Sequence, residues 1–119
     1  MIHTNKLLLA AMMSALFLSG CAAKTTYYWG NYEQLIHDSY IEPGSADPVT
    51  QIDLLETDIQ IAQSEGLPTP PGIYAHLGYM HSLQGNVAQA KNAFLQEKNL
   101  YPESASFIDG MLDRAYGNK

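Results

Sequence analysis

One stretch of 34 residues decides the fold. Residues 71–104 read PGIYAHLGYMHSLQGNVAQAKNAFLQEKNLYPES. Apolar residues recur there at spacings of three and four, over 73–83 and again over 86–100, which is the period of an amphipathic helix. Gly85 and Asn86 separate the two runs, and Pro102 ends the second. The stretch therefore predicts two helices joined by a tight turn, a helical hairpin.

The hairpin resembles a tetratricopeptide repeat, a unit of about 34 residues. The resemblance rests on Tyr74, Leu77, Gly78, Gly85, Asn86, Ala90, Phe94 and Pro102. Gly78 and Ala90 lack bulk at the predicted crossing of the two helices, so the backbones approach closely there. Leu77, Phe94 and Leu100 are expected to fill the space beside the crossing.

Two residues depart from the repeat pattern, His81 and Glu97. Glu97 stands where the repeat has a small residue, and a carboxylate is rarely buried without a partner. We therefore expect Glu97 to be poorly buried, and the packing between the hairpin and the next helix to be looser or only local.

Three further helices are predicted around the hairpin. Each begins after a capping residue: Asn31, Asp47 and Ser104. Their apolar faces comprise Tyr32, Leu35, Ile36 and Tyr40 in the first, Val49, Ile52, Leu55, Ile59 and Ala62 in the second, and Phe107, Ile108, Met111, Leu112 and Ala115 in the third. No segment shows sustained strand alternation, so the predicted fold class is all-α with about five helices.

A single repeat unit buries its apolar faces only against neighbouring units. The two helices before the hairpin are therefore interpreted as a degenerate preceding unit, and the fifth helix as a C-terminal capping helix. The prediction is a domain of tetratricopeptide-like hairpins, with an unrelated helical bundle as the alternative.

The N-terminus has the pattern of a lipoprotein signal peptide. Lys6 precedes an apolar run over 7–18, which is too short for a membrane span because a spanning helix needs about 20 apolar residues. Leu18-Ser19-Gly20-Cys21 then matches the lipobox, whose cysteine receives a diacylglycerol and usually an N-acyl chain. Residues 1–20 are interpreted as the signal peptide, 21–29 as a lipidated tether and 30–117 as the helical domain. A chance cysteine after an ordinary signal peptide is the alternative.

The residues after Cys21 predict where the protein is anchored. Ala22 and Ala23 follow it, with no Asp to act as an inner-membrane retention signal. We therefore expect a lipid anchor in the outer membrane, on its periplasmic face. Cys21 is the only cysteine, so neither a disulfide nor thiol chemistry is expected.

The charge of the mature chain limits its partners. Residues 21–119 contain five basic and twelve acidic residues, a net charge of −7, which disfavours nucleic acid. Residues 25–90 contain eight carboxylates and no Lys or Arg. The excess of carboxylates in this half has two possible explanations: it keeps the protein soluble, or it binds a basic surface of a partner.

The repeat pattern also predicts a binding surface. In tetratricopeptide folds the first helix of each hairpin lines a concave groove, and the matching positions here are Ala75, Tyr79, Ser82, Asp109, Asp113 and Tyr116. They predict an aromatic and acidic groove for a basic or amphipathic segment of a partner protein, with Tyr79 as its anchor. Alternatively, the fifth helix folds across the groove and Tyr79 belongs to the core.

Three aromatic residues lie close to the predicted lipid anchor: Tyr27, Tyr28 and Trp29. They are interpreted as a plug for the open end of the first helix or as a belt at the membrane interface, and both can hold at once.

The sequence offers little for catalysis or metal binding. His76 and His81 are five residues apart, about 140° around a helix, so they do not share a face as two metal ligands would. No nucleophile, phosphate-loop or nucleotide-binding motif occurs. We expect no enzymatic activity, no metal, no cofactor other than the covalent lipid, and no small-molecule substrate.

Two motifs carry a resemblance to a known family, YYWGNYE at residues 27–33 and GNVAQAK at 85–91. With the lipidated cysteine close before them, they make residues 25–115 resemble a domain-of-unknown-function family of small proteobacterial lipoproteins. Such families are commonly encoded beside a lipoprotein similar to the curli secretion channel. The resemblance implies a partner of that kind and a role in an outer-membrane assembly, and it supplies no catalytic residues.

The expected function is that of a binding module. We expect a lipid-anchored adaptor that binds a protein partner and supports assembly of an envelope or secretion complex. A pilotin-like chaperone, which carries a secretion subunit to the outer membrane, is the alternative.

The lipid anchor is tested by the substitution Cys21→Ser. Without the thiol no diacylglycerol can be attached, so we expect an uncleaved precursor or a soluble form. Membrane flotation after high-salt and carbonate washing measures this. Continued flotation of the variant with outer membranes would mean that protein contacts, and not the lipid, hold the chain there.

Overall fold

The computed structural model describes Lys6 and residues 26–117. In this part of the chain the secondary structure is helical: α1 (Tyr32–Ile41), α2 (Pro48–Ser64), α3 (Ile73–Leu83), α4 (Val87–Leu100) and α5 (Ala105–Tyr116), with a short 3-10 turn at Pro102–Ser104. The predicted all-α fold with five helices is confirmed. None of the described helices combines the length and the apolar character needed to cross a bilayer. Cys21 and, apart from Lys6, the predicted signal peptide lie outside the described residues.

The centre of the fold is the hairpin of α3 and α4. Gly85 lies in the turn between them with a φ of +74°, a left-handed conformation that glycine adopts without strain. At the helix crossing, a Cβ built on Gly78 would lie 2.7 Å from the ring of Phe94, so a larger residue would have to displace that ring. Ala90 is completely buried and packs in the same cluster as Phe94. The small residues therefore permit the close approach that the repeat pattern predicts.

Two clusters of buried residues hold the helices together. The larger joins α1, α2, α3 and α4 and comprises Leu35, Ile52, Leu55, Ile59, Ile73, Leu77, Met80 and Ala93. The smaller joins α4 to α5 and comprises Ala90, Phe94 and Ile108. The hairpin thus packs on both sides, against α1 and α2 on one and against α5 on the other, as a repeat unit requires.

The helix starts only partly follow the predicted caps. Asp47 accepts hydrogen bonds from the backbone N–H groups of Thr50 and Val49 at 3.1 and 2.9 Å, and these bonds, chiefly the one from Thr50, lower the pKa of its carboxyl. The side chain of Asn31 does not cap α1. Its backbone N–H and its amide instead donate to the buried carboxylate of Asp58 at 2.8 and 3.1 Å, which fastens the start of α1 to α2.

The start of α5 also differs from the predicted cap. The hydroxyl of Ser104 makes no cap bond to the helix and donates to the carbonyl oxygen of Tyr101 at 2.7 Å. The 3-10 turn before α5 brings this carbonyl within reach of the hydroxyl. Ser104 therefore stabilises the connection between α4 and α5.

Several residues that the apolar pattern places in the core are exposed. They are Tyr40, Val49, Leu100, Phe107 and Ala115. Each lies within three residues of a helix end. Helical periodicity predicts the apolar face correctly but not how far along the helix that face is covered.

The crossing of α3 and α4 is tested by Ala90→Leu. Extra methylene groups at this completely buried position force the helices apart and should lower the free energy of unfolding by about 1 to 3 kcal/mol. Thermal melts followed by circular dichroism measure the effect. Ala88→Leu, at an exposed position of the same helix, is the matched control and should leave the melting temperature nearly unchanged. Equal melting temperatures for the two variants would contradict the close crossing.

Candidate protein-binding groove

An open groove runs between α1, α3 and α5. One part, of about 470 Å³, is lined by Tyr32, Ile36, Tyr40, Gly72, Ala75, His76, Tyr79, Phe107 and Met111. A second part, of about 290 Å³, is lined by Tyr79, Ser82, Phe94, Met111, Arg114 and Ala115. The two parts share Tyr79 and Met111, so we treat them as one surface, the aromatic groove.

The aromatic groove exposes large side chains from three helices. Tyr40 is 82% exposed, Phe107 61% and Tyr79 48%. Contiguous exposed rings, two of them with a hydroxyl at the tip, are typical of surfaces that bind protein. The groove can therefore hold a protein segment through apolar and aromatic contacts.

Half of the predicted binding residues line this groove. Ala75, Tyr79 and Ser82 of α3 do so, and Tyr79 is exposed, so α5 does not cover it as a core residue. Tyr116 reaches the groove only through its hydroxyl, which shares a hydrogen bond of 2.8 Å with Oγ of Ser82. This bond ties the end of α5 to α3 beside the groove.

The two predicted carboxylates of α5 lie elsewhere. Asp109 forms an ion pair of 2.5 Å with Lys98 of α4, and Asp113 lines a separate hollow between α4 and α5. Successive helical residues are about 100° apart, so Asp109 and Asp113 lie about 200° around α5 from Phe107 and Met111. The wall that α5 contributes to the groove is therefore apolar apart from the basic Arg114, and it is not acidic.

The repeat pattern does not single out Phe107 and Met111 as binding residues. Both belong to the predicted apolar face of α5, yet Ile108 is the only buried residue of that helix. One signal could have found them: α5 carries more apolar residues than a single neighbouring hairpin can cover. The surplus is what lines the groove.

Tyr27 and Trp29 pack against the helical domain. Trp29 stacks on Tyr32 with 6.2 Å between ring centroids, and Tyr27 meets Trp29 edge-on at 6.0 Å. Tyr32 in turn meets His76 of α3 edge-on at 5.9 Å. We call Tyr27, Trp29, Tyr32 and His76 the aromatic chain. Its contacts favour the interpretation of this segment as a plug at the start of α1, and they connect it to the wall of the groove.

Tyr101, at the end of α4, lies against the same segment. Its hydroxyl donates a hydrogen bond to the carbonyl oxygen of Thr69. Burial, together with the nearby Tyr27, raises the pKa of Tyr101 to about 12. The phenol is therefore neutral at physiological pH and acts as a donor that holds the loop before α3 against α4.

The aromatic segment and the helices that form the groove lie within one sequence family. A family model described as Domain of unknown function (DUF4810) matches residues 26–111. The chain belongs to this family. No curated protein and no solved structure matches the chain. The DUF4810 match begins before the aromatic chain and ends at Met111, so it includes α1, α3 and the first part of α5, and it leaves out Arg114 and Ala115.

Glu97 is buried in this DUF4810 domain, so the expectation that its carboxylate would be poorly buried is wrong. The residue is 2% exposed, and its carboxylate accepts hydrogen bonds from the backbone N–H groups of Gly72 at 2.8 Å and Ala75 at 3.3 Å. These groups lie at the start of α3, where a helix has no acceptors of its own. Burial raises the pKa of Glu97, and the backbone hydrogen bonds oppose that rise. Glu97 of α4 therefore caps α3 and positions one wall of the groove.

His76 and His81 connect α3 to α2. Nε2 of His76 lies 2.9 Å from Oε1 of Gln51, and burial lowers the pKa of His76, so the ring is neutral near pH 7. His81 is buried with Nε2 3.7 Å from Oε1 of Glu56. Within residues 26–117, no three His, Cys, Asp or Glu side chains form a group that could hold a metal ion.

The Glu97 cap is tested by Glu97→Ala. The substitution leaves two backbone N–H groups without an acceptor and should lower the free energy of unfolding by about 1 to 3 kcal/mol. Glu97→Gln keeps the volume and one acceptor oxygen, so its loss should be smaller. Urea denaturation compares both with Gln96→Ala, an exposed neighbour in the same helix. If Glu97→Ala is as stable as Gln96→Ala, the carboxylate does not cap α3.

Proposed function

We propose that this DUF4810 protein is an adaptor that binds a segment of a partner protein in its aromatic groove and supports assembly of an envelope complex. One observation carries the proposal: Tyr40, Tyr79 and Phe107, from three different helices, are exposed in one continuous groove. Tyrosine and other aromatic residues in such surfaces contribute much of the binding energy of protein interfaces.

The groove has rigid walls, which favours binding because little freedom is lost when a partner is bound. Glu97 fixes the start of α3, and the aromatic chain holds Tyr32 against His76. Tyr79 is therefore presented on a helix that is fixed at its beginning. This arrangement suits a preformed docking surface better than a flexible one.

The charge of the flanking helix indicates the kind of partner. Glu33 lies on α1 about 60° around the helix from Ile36, and residues 25–90 contain no Lys or Arg. Asp38 lines a separate hollow on the other side of α1. A partner segment with a basic residue beside its apolar face would be attracted and oriented by the Glu33 carboxylate. This role, expected for Asp109 and Asp113, passes to Glu33 because those two residues point away from the groove.

The remaining parts of the proposal rest on the sequence. The lipobox at Cys21 supports a lipid-anchored protein on the periplasmic face of the outer membrane. The resemblance to small proteobacterial lipoproteins supports a partner similar to the curli secretion channel. A pilotin-like chaperone would use the same groove but would release its partner after delivery.

The groove is tested by photo-crosslinking from position 111 in intact cells, followed by mass spectrometry to identify the captured protein. Tyr79→Ala and Phe107→Ala should each weaken the affinity for that protein by about 30-fold, the effect of losing an interface hot spot. The double change Asp109→Asn, Asp113→Asn is the matched control on the opposite side of α5 and should leave the affinity unchanged.

Two outcomes would decide against this function. If folded Tyr79→Ala and Phe107→Ala proteins bind the partner normally, the groove is not the interface. If the partner loses its location in cells lacking this protein although no stable complex can be isolated, the chaperone is the correct alternative.

A further inference from the structure

A second hollow lies on the side of α5 that faces away from the aromatic groove. It has a volume of about 350 Å³ and is lined by Lys91, Leu95, Leu112, Asp113, Tyr116 and Gly117. Leu95 is 50% exposed. We call this surface the α4–α5 hollow.

The α4–α5 hollow is an apolar helix face that lacks a covering helix within residues 26–117. In stacked helical hairpins, each helix pair buries its apolar face against the next pair. Here α5 packs against α4, while Val87 and Leu95 on α4 are exposed beside it. The hollow is thus the position where a further packed helix would bury these side chains.

The charges of this region indicate what covers it. Lys91 and Asp113, of opposite sign, both line the hollow. The ammonium group of Lys91 lies 5.1 Å from the centroid of the Tyr116 ring, which holds it at the edge of the hollow. Residues 91–119 contain four basic and four acidic residues, whereas residues 25–90 contain eight acidic and no Lys or Arg. Two copies of the chain can therefore meet at this end without net repulsion, and they would repel one another at the acidic end.

We propose that the α4–α5 hollow binds a second copy of this chain in a two-fold symmetric dimer. In such an interface each contact occurs twice, so Lys91 of each copy faces Asp113 of the other. Leu95 and Leu112 of both copies form the apolar centre between these pairs. The dimer does not depend on the partner proposed for the aromatic groove, because Phe107 and Met111 lie on the opposite side of α5.

The dimer is tested by analytical ultracentrifugation of the full chain carrying Cys21→Ser in a non-ionic detergent. We expect a concentration-dependent equilibrium between monomer and dimer. Lys91→Asp and Asp113→Lys should each raise the dissociation constant of the dimer by about ten-fold, because two attractive contacts become repulsive. The double reversal Lys91→Asp, Asp113→Lys restores opposite charges across the interface and should restore the dimer. Tyr79→Ala, in the aromatic groove, is the control that should leave it unchanged.

A second measurement, made in cells, identifies which protein binds the α4–α5 hollow. On the Cys21→Ser background, Leu95→Cys leaves one cysteine in the chain, at the centre of the proposed interface. Under oxidising conditions a disulfide-linked product of twice the chain's mass supports the dimer. A mixed disulfide between Leu95→Cys and another protein would instead overturn the proposal. In the ultracentrifugation experiment, a protein that stays monomeric at every soluble concentration would also overturn it. So would a dimer that the charge reversals do not weaken.

Discussion

The contact between Phe94 and the bare backbone at Gly78 is the constraint on which the rest of the structure depends. It sets how closely α3 and α4 approach, because any side chain at position 78 would occupy the space of the ring. With that distance fixed, one side of the hairpin packs against α1 and α2. On the other side of the hairpin, Phe94 and Ala90 pack against Ile108 of α5. The aromatic groove exists because α1 and α5 are both held against this hairpin.

Polar groups then fix the ends of the helices that the apolar clusters bring together. Glu97 binds the start of α3 from α4, Asp58 binds the start of α1 from α2, and Tyr101 binds the loop before α3. Buried polar groups are tolerated only when their hydrogen bonds are satisfied, and no buried side-chain donor or acceptor of the described residues lacks a partner. These bonds depend on one geometry, so they specify the arrangement of the helices as well as stabilising it.

Much of the fold could be predicted from the sequence because local signals encode it. The hairpin follows from the spacing of apolar residues around Gly85, and the start of α2 from Asp47 and Pro48. The role of Glu97 could not be predicted, because the N–H groups that donate to its carboxylate lie more than twenty residues away in the sequence. They are backbone groups, so no side-chain pattern marks them. Asp109 and Asp113 were expected to line the groove and do not, for a related reason. A repeat pattern gives the order of helices, while the packing of a terminal helix against the hairpin decides whether its Asp109 side or its Phe107 side faces the groove.

The aromatic chain has a mechanical consequence. If Cys21 carries the proposed lipid, the five steps from it to Thr26 span at most about 18 Å. After Thr26, ring contacts hold the chain against the helical domain: Trp29 stacks on Tyr32, and Tyr32 packs against His76. A pull on Thr26 would therefore reach the wall of the groove through these ring contacts. Tension on such an anchor would then act on the aromatic groove itself.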